Sequence, residues 1–500
     1  MRQRVFAHYF GLTAAADAFM AAFRIPNFLN NLFGEGALSA SFIPVYASLL
    51  ARGEQDVADR VAGAVASLMA LAVSAIVLVG VLATPVLIDV IAPGFTGSTR
   101  VLTIVLVRIL FPGAGLMVMS AWCLGVLNSH HRFLVSYAAP VAWNAAMIAT
   151  LLVFGSGAPL PRLAMLLAWG SVAGSALMFV VQLPIVMTLA PDLRFPLDTA
   201  SPHVRTVVRN FAPVFISRGV VQVSGYIDTL LATLLPVGAV TALSNAQTLY
   251  LLPVSLFGMS VSAAELPAMS GVVGGVDLDA TGLDTLRRRL DAGLRQIAFF
   301  VVPSAMALLA LGDVVAAALF QTGRFGHADA EYVWAILAGS AVGLLAQTLG
   351  RLYASTYYAL RDTRTPLRYA LVRVTLTTVL GYLCAIPLPG LIGMSARWGA
   401  AGLTASAGIA GWVEMLLLRR SLNARIGRTG LPADYTAKLW ASAGAGAAIA
   451  WAIKLSMPAL HPVILAVLVL GPYGVAFFAA TWLFRLPEAS TAFRSLRLLK

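Results

Sequence analysis

The chain has 500 residues, 59% hydrophobic and 11% charged, with a net charge of +13 and a mean hydropathy of +0.86. A water-soluble domain has about 25% charged residues, so the composition excludes a soluble enzyme. Apolar runs of about 20 residues, in place of alternating tens, exclude a transmembrane barrel. At about 35 residues per span and loop, the length predicts an all-α polytopic membrane protein of about 14 transmembrane helices.

Residues 1–12 read as the end of a helix whose first half is missing. Half a helix would leave peptide groups unsatisfied in lipid, which predicts a start codon further upstream. Apolar segments then run at 14–50 (one long helix interrupted by polar residues), 61–92, 101–127, 133–154, 160–189, 206–235 and 240–270. Six more follow at 292–312, 332–360, 367–388, 396–418, 436–457 and 462–484. Counting Lys and Arg in alternate loops gives 22 on the side that follows the 14–50 segment and 5 on the other. The positive-inside rule assigns the first side, and with it the C-terminus, to the cytoplasm. The net charge is therefore a topology signal and predicts no nucleic-acid partner.

The loops are too short to fold as catalytic domains. The longest, 271–291, is a Gly/Asp-rich linker leading into Arg287, Arg288 and Arg289. No nucleotide-binding loop, zinc helix or nucleophile elbow is present. His130 and His131 sit in a short turn, and Cys123 and Cys384 lie in apolar runs as small buried side chains. The expectation is a protein that is not an enzyme and has no cofactor and no metal.

A weak internal repeat runs through the spans. LGVLNSHHRFLVSYAAP, after the 101–127 segment, and STYYALRDTRTPLRYAL, after the 332–360 segment, each place a tight basic turn and a proline before the next span. Counting the partial first helix, the offset is six spans. That predicts two six-helix lobes, 1–200 and 201–428, followed by a helix pair and tail at 429–500. Substrate sites in such transporters lie between repeats near the midplane.

The second span carries the strongest chemistry. Asp17, Arg24, Asn27 and Asn31 follow the helical i, i+3, i+4, i+7 spacing on one face, and Glu35 extends it. A charge at mid-membrane costs about 2.5–3.5 kcal/mol even on insertion scales, so such residues face the bundle interior or water. Pro26 removes a helix hydrogen bond and Gly34 and Gly36 permit bending, which with Glu35 makes a candidate gate. Either a cavity wall or a structural lock involving Asp17 and Arg24 would use this face.

The later spans offer further candidates. In the seventh, Arg218, Gln222 and Asp228 are polar. In the eighth, Thr241, Asn245, Thr248, Ser255 and Ser262 share a face that suits close packing and substrate contact equally. Arg108, Arg351, Arg373 and Glu414 are single charges within spans. The surplus of arginine suits the phosphate oxygens of an amphiphile with an anionic head. Spacing alone does not separate a lipid-linked pyrophosphate from an anionic drug.

The run ADAFMAAFRIPNFLNNLFGEGALSASFIPV resembles the signature of MurJ (MviN)-type lipid II flippases, and LFQTGRF, YYALRDTRTP and LGVLNSHHRF resemble later landmarks of that family. The likeness covers essentially the whole chain. It implies the multidrug/oligosaccharidyl-lipid/polysaccharide exporter fold. It further implies flipping of the undecaprenyl-pyrophosphate-linked peptidoglycan precursor across the bacterial inner membrane by alternating access, driven by membrane potential or ions. Arg2 falls at a cavity arginine of the family, and Asp17, Arg24, Asn27 and Glu35 match its span-two motif. Asn30 and the Gln247–Thr248 pair stand where members have charged residues. The substrate-binding candidates are therefore Arg2, Asp17, Arg24, Asn27, Asn31, Arg218 and Thr248. The expected partners are a lipid-linked anionic oligosaccharide, membrane lipids and, as an option left open, a coupling ion. A drug or ion antiporter on the same fold, or a non-transporting cell-envelope scaffold, are the alternatives.

Overall fold

Peptide groups in hydrocarbon have no water to bond, so apolar runs of this length satisfy them by coiling on themselves. The computed structural model describes residues 1–33, 38–198, 201–274, 280–458 and 460–489; side chains at 39, 212–214, 216–225, 274 and 280 fall outside that description. Among the described residues the regular structure is helical, apart from an isolated Thr322–Phe325 bridge. The chain divides into two units, Met1–Thr241 and Ala242–Lys500.

In the first unit the helices are α1 (Arg2–Phe10), α2 (Ala14–Phe33), α3 (Ile43–Ala51), α4 (Gln55–Leu82), α5 (Thr84–Ile91), α6 (Gly97–Ser129), α7 (Phe133–Phe154), α8 (Leu160–Leu189) and α9 (Pro202–Thr233). Helix α6 is central, packing on α8, α2 and α4, while α1 lies on α7. The last residues of this unit open α10 (Ala239–Val273). The second unit continues with α11 (Ala280–Phe320), α12 (His327–Ala359), α13 (Arg364–Ala385), α14 (Gly399–Ile426), α15 (Ala433–Ser456) and α16 (Pro462–Leu483). Here α12 packs on α14 and α11, α13 on α14, and the α15–α16 pair on α11.

Among the described residues ten helices are long and apolar enough to cross a membrane. Three more, α2, α9 and α15, have 20, 32 and 24 residues but are more polar. Each of the thirteen apolar segments overlaps one of these long helices.

Within the 14–50 segment the described helical stretches are Ala14–Phe33, Ser39–Ser41 and Ile43–Ala51, with Pro44 in the first turn of the last; residues 34–37 lie outside the described residues. One segment expected to be continuous is not, the one at 61–92. It breaks at Ala83, where Pro85 cannot donate a backbone hydrogen bond. The Thr84 hydroxyl donates to the freed carbonyls of Gly80 at 2.7 Å and Val81 at 3.0 Å. Helix α10 is continuous but widens into a π-helical stretch at Val254–Met259, directly after Pro253.

The two turns flagged as an internal repeat have the same conformation. His131 and Arg361 both adopt φ of 58°. The next amide reaches back to the same helical position in each, Arg132 to the Leu127 carbonyl and Asp362 to the Tyr357 carbonyl, both at 2.9 Å. This is a Schellman-type helix end with a basic or imidazole residue in place of glycine.

In the second unit, α11 is broken at Leu311 (φ −127°, ψ 15°). Two indoles supply the missing donors. Trp334 Nε1 donates to the Leu309 carbonyl and Trp451 Nε1 to the Ala310 carbonyl, each at 2.8 Å. The Tyr473 hydroxyl donates to the Pro303 carbonyl at 2.6 Å, and Lys454 pairs with Asp313. Helices α12 and α14 cross backbone to backbone at Gly343 and Gly408, where a Cβ on Gly343 would lie 2.3 Å from the Gly408 Cα.

Candidate functional site

Helix α2 is amphipathic within the first unit. Successive residues rotate by about 100°, so Arg24, Asn27 and Asn31 share a face while Ile25 and Leu29 fall on another. Asn27 is half-buried and Asn31 exposed; Pro26 is buried inside the helix.

Asp17, at the start of this face, is 3% exposed. Its Oδ2 accepts from the Gly238 amide at 2.6 Å, and its Oδ1 accepts from the Thr241 amide at 2.8 Å and the Thr241 hydroxyl at 2.6 Å. The carboxylate caps the N-terminus of α10, where the helix dipole favours negative charge. Both oxygens are thus engaged by protein donors, and Arg24, two turns on, has different company. Arg24 interacts electrostatically with Tyr226 and Asp228 of α9, and its carbonyl accepts from the Tyr226 hydroxyl at 2.7 Å.

Arg2 opens α1. Its guanidinium lies 5.1 Å from the ring centroid of Phe23 and 5.0 Å from that of Trp143, two rings stacked at 5.6 Å. Its Nη1 also reaches Met147 Sδ at 3.8 Å, and Trp143 Nε1 is held by Ser171 Oγ at 3.1 Å. The cation is held by aromatic faces, an arrangement that favours a charged group in an apolar setting, and among the described residues no carboxylate pairs with it.

Beside α2 lies a cavity of about 690 Å³, lined by Ile25, Phe28 and Leu29 of α2, Val79 and Gly80 of α4, Leu87 and Ile91 of α5, Phe111 of α6, and Tyr226 and Leu230 of α9. Tyr226 is its polar residue, with the hydroxyl already committed to Arg24. At Gly80 a Cβ would sit 2.2 Å from the Phe111 ring, so only glycine lets that ring close the wall. The first unit thus places a cationic, amide-bearing face and an apolar hollow on adjacent sides of one helix. That combination suits an amphiphile.

The sequence candidates divide accordingly. Arg2, Asp17, Arg24, Asn27 and Asn31 belong to the first unit, with Pro26 between Arg24 and Asn27. Thr248 belongs to the second unit, and its hydroxyl donates back to the Ser244 carbonyl of its own helix at 3.0 Å. The side chain of Arg218, and all of Gly34, Glu35 and Gly36, lie outside the described residues. His130 is half-buried with Nε2 3.0 Å from the Tyr46 hydroxyl; burial, then His131 and Arg132, lower its pKa. Sequence reasoning missed the Phe23–Trp143 clamp on Arg2 and the Tyr226 bond to Arg24. A lone tryptophan and a lone tyrosine among aliphatic spans were the available signals.

The helical arrangement resembles the fold of solved transporters of the MOP superfamily. It is similar to an inward-facing multidrug resistance MATE family transporter, with a TM-score of 0.69 at 16% identity over 84% of this chain and 94% of that one. The family is narrower. Residues 6–481 match the model for lipid II flippase MurJ, and this chain belongs to that family. It is 31% identical over 430 residues to the lipid II flippase MurJ of Burkholderia cenocepacia, covering 85% of this chain and 80% of that protein. It also resembles the structure of a lipid II flippase MurJ in an inward closed conformation, with a TM-score of 0.77 at 21% identity over 97% and 95% of the two chains.

Proposed function

We propose that this protein flips lipid II, the undecaprenyl-pyrophosphate-linked peptidoglycan precursor, from the inner to the outer leaflet of the bacterial cytoplasmic membrane by alternating access. The observation that carries this reading is the family match, which runs through both units from residue 6 to 481. The first unit supports it with a cation on one side of α2 and a cavity of about 690 Å³ on the next. Guanidinium groups suit pyrophosphate oxygens, and a hydrocarbon hollow suits part of a polyprenyl chain.

In this reading Arg24, Asn27 and Asn31 meet the head group, Arg2 and Arg218 add positive charge, and Pro26 with Gly34, Glu35 and Gly36 bends α2 as a gate. Thr248 contributes from α10. Asp17 holds the start of α10 in place for them. The protein moves its substrate without chemical change, works with membrane lipids and a coupling ion or the membrane potential, and keeps its C-terminus in the cytoplasm. Two six-helix lobes and a terminal pair divide the labour.

The test is depletion of the protein in its bacterial host, with a leaflet assay for lipid II. Accumulation on the cytoplasmic leaflet, reversed by wild type and not by Arg24→Ala, is the expected result. Normal translocation under depletion, in a host with no second flippase, would overturn the reading.

A further inference from the structure

The second unit contains its own intramembrane charges. Arg373 of α13 and Glu414 of α14 pair at 2.8 Å between Nε and Oε2, near the middle of both helices. One turn apart on α12 are Gln347 and Arg351, which share a face by the i, i+4 rule. The Tyr250 hydroxyl of α10 donates to Gln347 Oε1 at 2.8 Å. Arg351 and Arg373 both interact electrostatically with Glu414 and with Tyr250, and Tyr358 also faces Glu414.

The charges do not balance. Two guanidinium groups surround one carboxylate, and Arg373 already occupies it. Among the described residues Arg351 has no hydrogen-bond or ion-pair partner, and its side chain is exposed. An uncompensated arginine within a span faces water or a pathway, because lipid would make it costly. The Tyr250 bond takes the oxygen of the Gln347 amide, so the amide nitrogen offers its two donors beside Arg351. A planar guanidinium next to an amide N–H₂, with a cation–carboxylate pair behind it, presents donors and net positive charge to a tetrahedral oxyanion.

We propose that Arg351 and Gln347 form a phosphate-binding site in the second unit, separate from Arg24, that takes a phosphate group of the lipid-linked substrate. This rests on the flippase reading above. Arg373 and Glu414 are positioning residues: their mutual pairing leaves Arg351 as the surplus cation.

The experiment uses the full-length protein in nanodiscs of zwitterionic lipid, with geranylgeranyl pyrophosphate as the probe and geranylgeraniol as its uncharged counterpart. Arg351→Gln should weaken probe binding at least tenfold and leave geranylgeraniol unaffected, and Arg351→Lys should recover part of the loss. Unchanged probe affinity in a folded Arg351→Gln variant, with weakened affinity in Arg24→Gln, would overturn this site and leave the flippase reading standing. Equal loss for both probes would reduce Arg351 to a packing residue. Displacement of the probe by phosphatidylglycerol added to the disc, abolished in Arg351→Gln, would assign the site to bilayer head groups instead of the substrate. No pyrophosphate-dependent binding by wild type, together with normal flipping in Arg24→Ala cells, would remove the reading on which the proposal stands.

Discussion

Thr241 engages Asp17 twice, donating its amide at 2.8 Å and its hydroxyl at 2.6 Å to one carboxylate oxygen. Gly238 takes the other oxygen at 2.6 Å. A conspicuous acid in an apolar helix thus acts as the N-cap of a different helix. The spacing that groups Asp17 with Arg24 on one face of α2 is real, yet the two residues face different partners.

Asp17→Ala leaves three buried donors without that acceptor and should cost at least the roughly 1–3 kcal/mol of one unsatisfied buried group. Asp17→Asn retains one acceptor oxygen and should fall between. Thermal unfolding in detergent checks the order. An alanine variant as stable as wild type but unable to flip lipid II would mean that the carboxylate acts on substrate.

Tyr226→Phe keeps the cavity wall and removes the bond to the Arg24 carbonyl. The expected loss is about 0.5–1.5 kcal/mol, with flipping retained. Arg24→Ala should behave oppositely, with little change in unfolding and no flipping. If both variants lose flipping equally, the hydroxyl has a direct part in transport.

The turn between α12 and α13 carries a pH signature. The Asp362 carboxylate accepts from the Thr365 amide and hydroxyl at 3.0 and 2.7 Å and pairs with Arg425 at 2.8 Å. These bonds, the Thr365 amide first, hold its pKa down at about 2. A depressed carboxylate contributes its stability above its ordinary value, near 3.8, and loses it as pH falls toward 2. Unfolding temperatures measured between pH 5 and pH 2 should drop more steeply for wild type than for Asp362→Asn. Parallel curves would count against the linkage.

Gly343→Ala places a methyl group against the Gly408 backbone, where the nearest atom would be 2.3 Å away. Overpacking of this kind costs about 1–3 kcal/mol. Gly444→Ala, whose Cβ would meet nothing within 4 Å, is the matched control. Comparable melting of the two variants would show that α12 and α14 separate at no cost.

Much of the architecture is legible along the chain because hydropathy is a local property. Thirteen apolar segments mark thirteen long helices, and the basic turns at His131 and Arg361 have the shared conformation that their similar sequences suggested. Contacts across hundreds of residues leave no such trace. Gly238 lies 221 residues from Asp17, and Tyr226 lies 202 from Arg24. Nothing in the local pattern near either partner names the other. The break at Leu311 was equally hidden, since no proline stands there and its capping indoles come from two other helices. Arg2 was legible as a charge, but its aromatic clamp was not.

That break has a mechanical consequence. Beyond Leu311, α11 is fastened to α15 through Lys454 and Asp313, and Leu311 and Val314 share a core with Ala447, Ala450, Val469 and Tyr473. The carbonyls on the near side are held by Trp334 and Trp451, so a change of angle there would trade indole contacts and expose no peptide group to lipid. The last turns of α11 are therefore fixed to the terminal helix pair directly as well as to the helix they extend. The terminal pair grips α11 on both sides of that residue, through Tyr473 and Pro303 before it and Lys454 and Asp313 after it, so a load applied to the pair would bear on both halves of a helix that is bent between them.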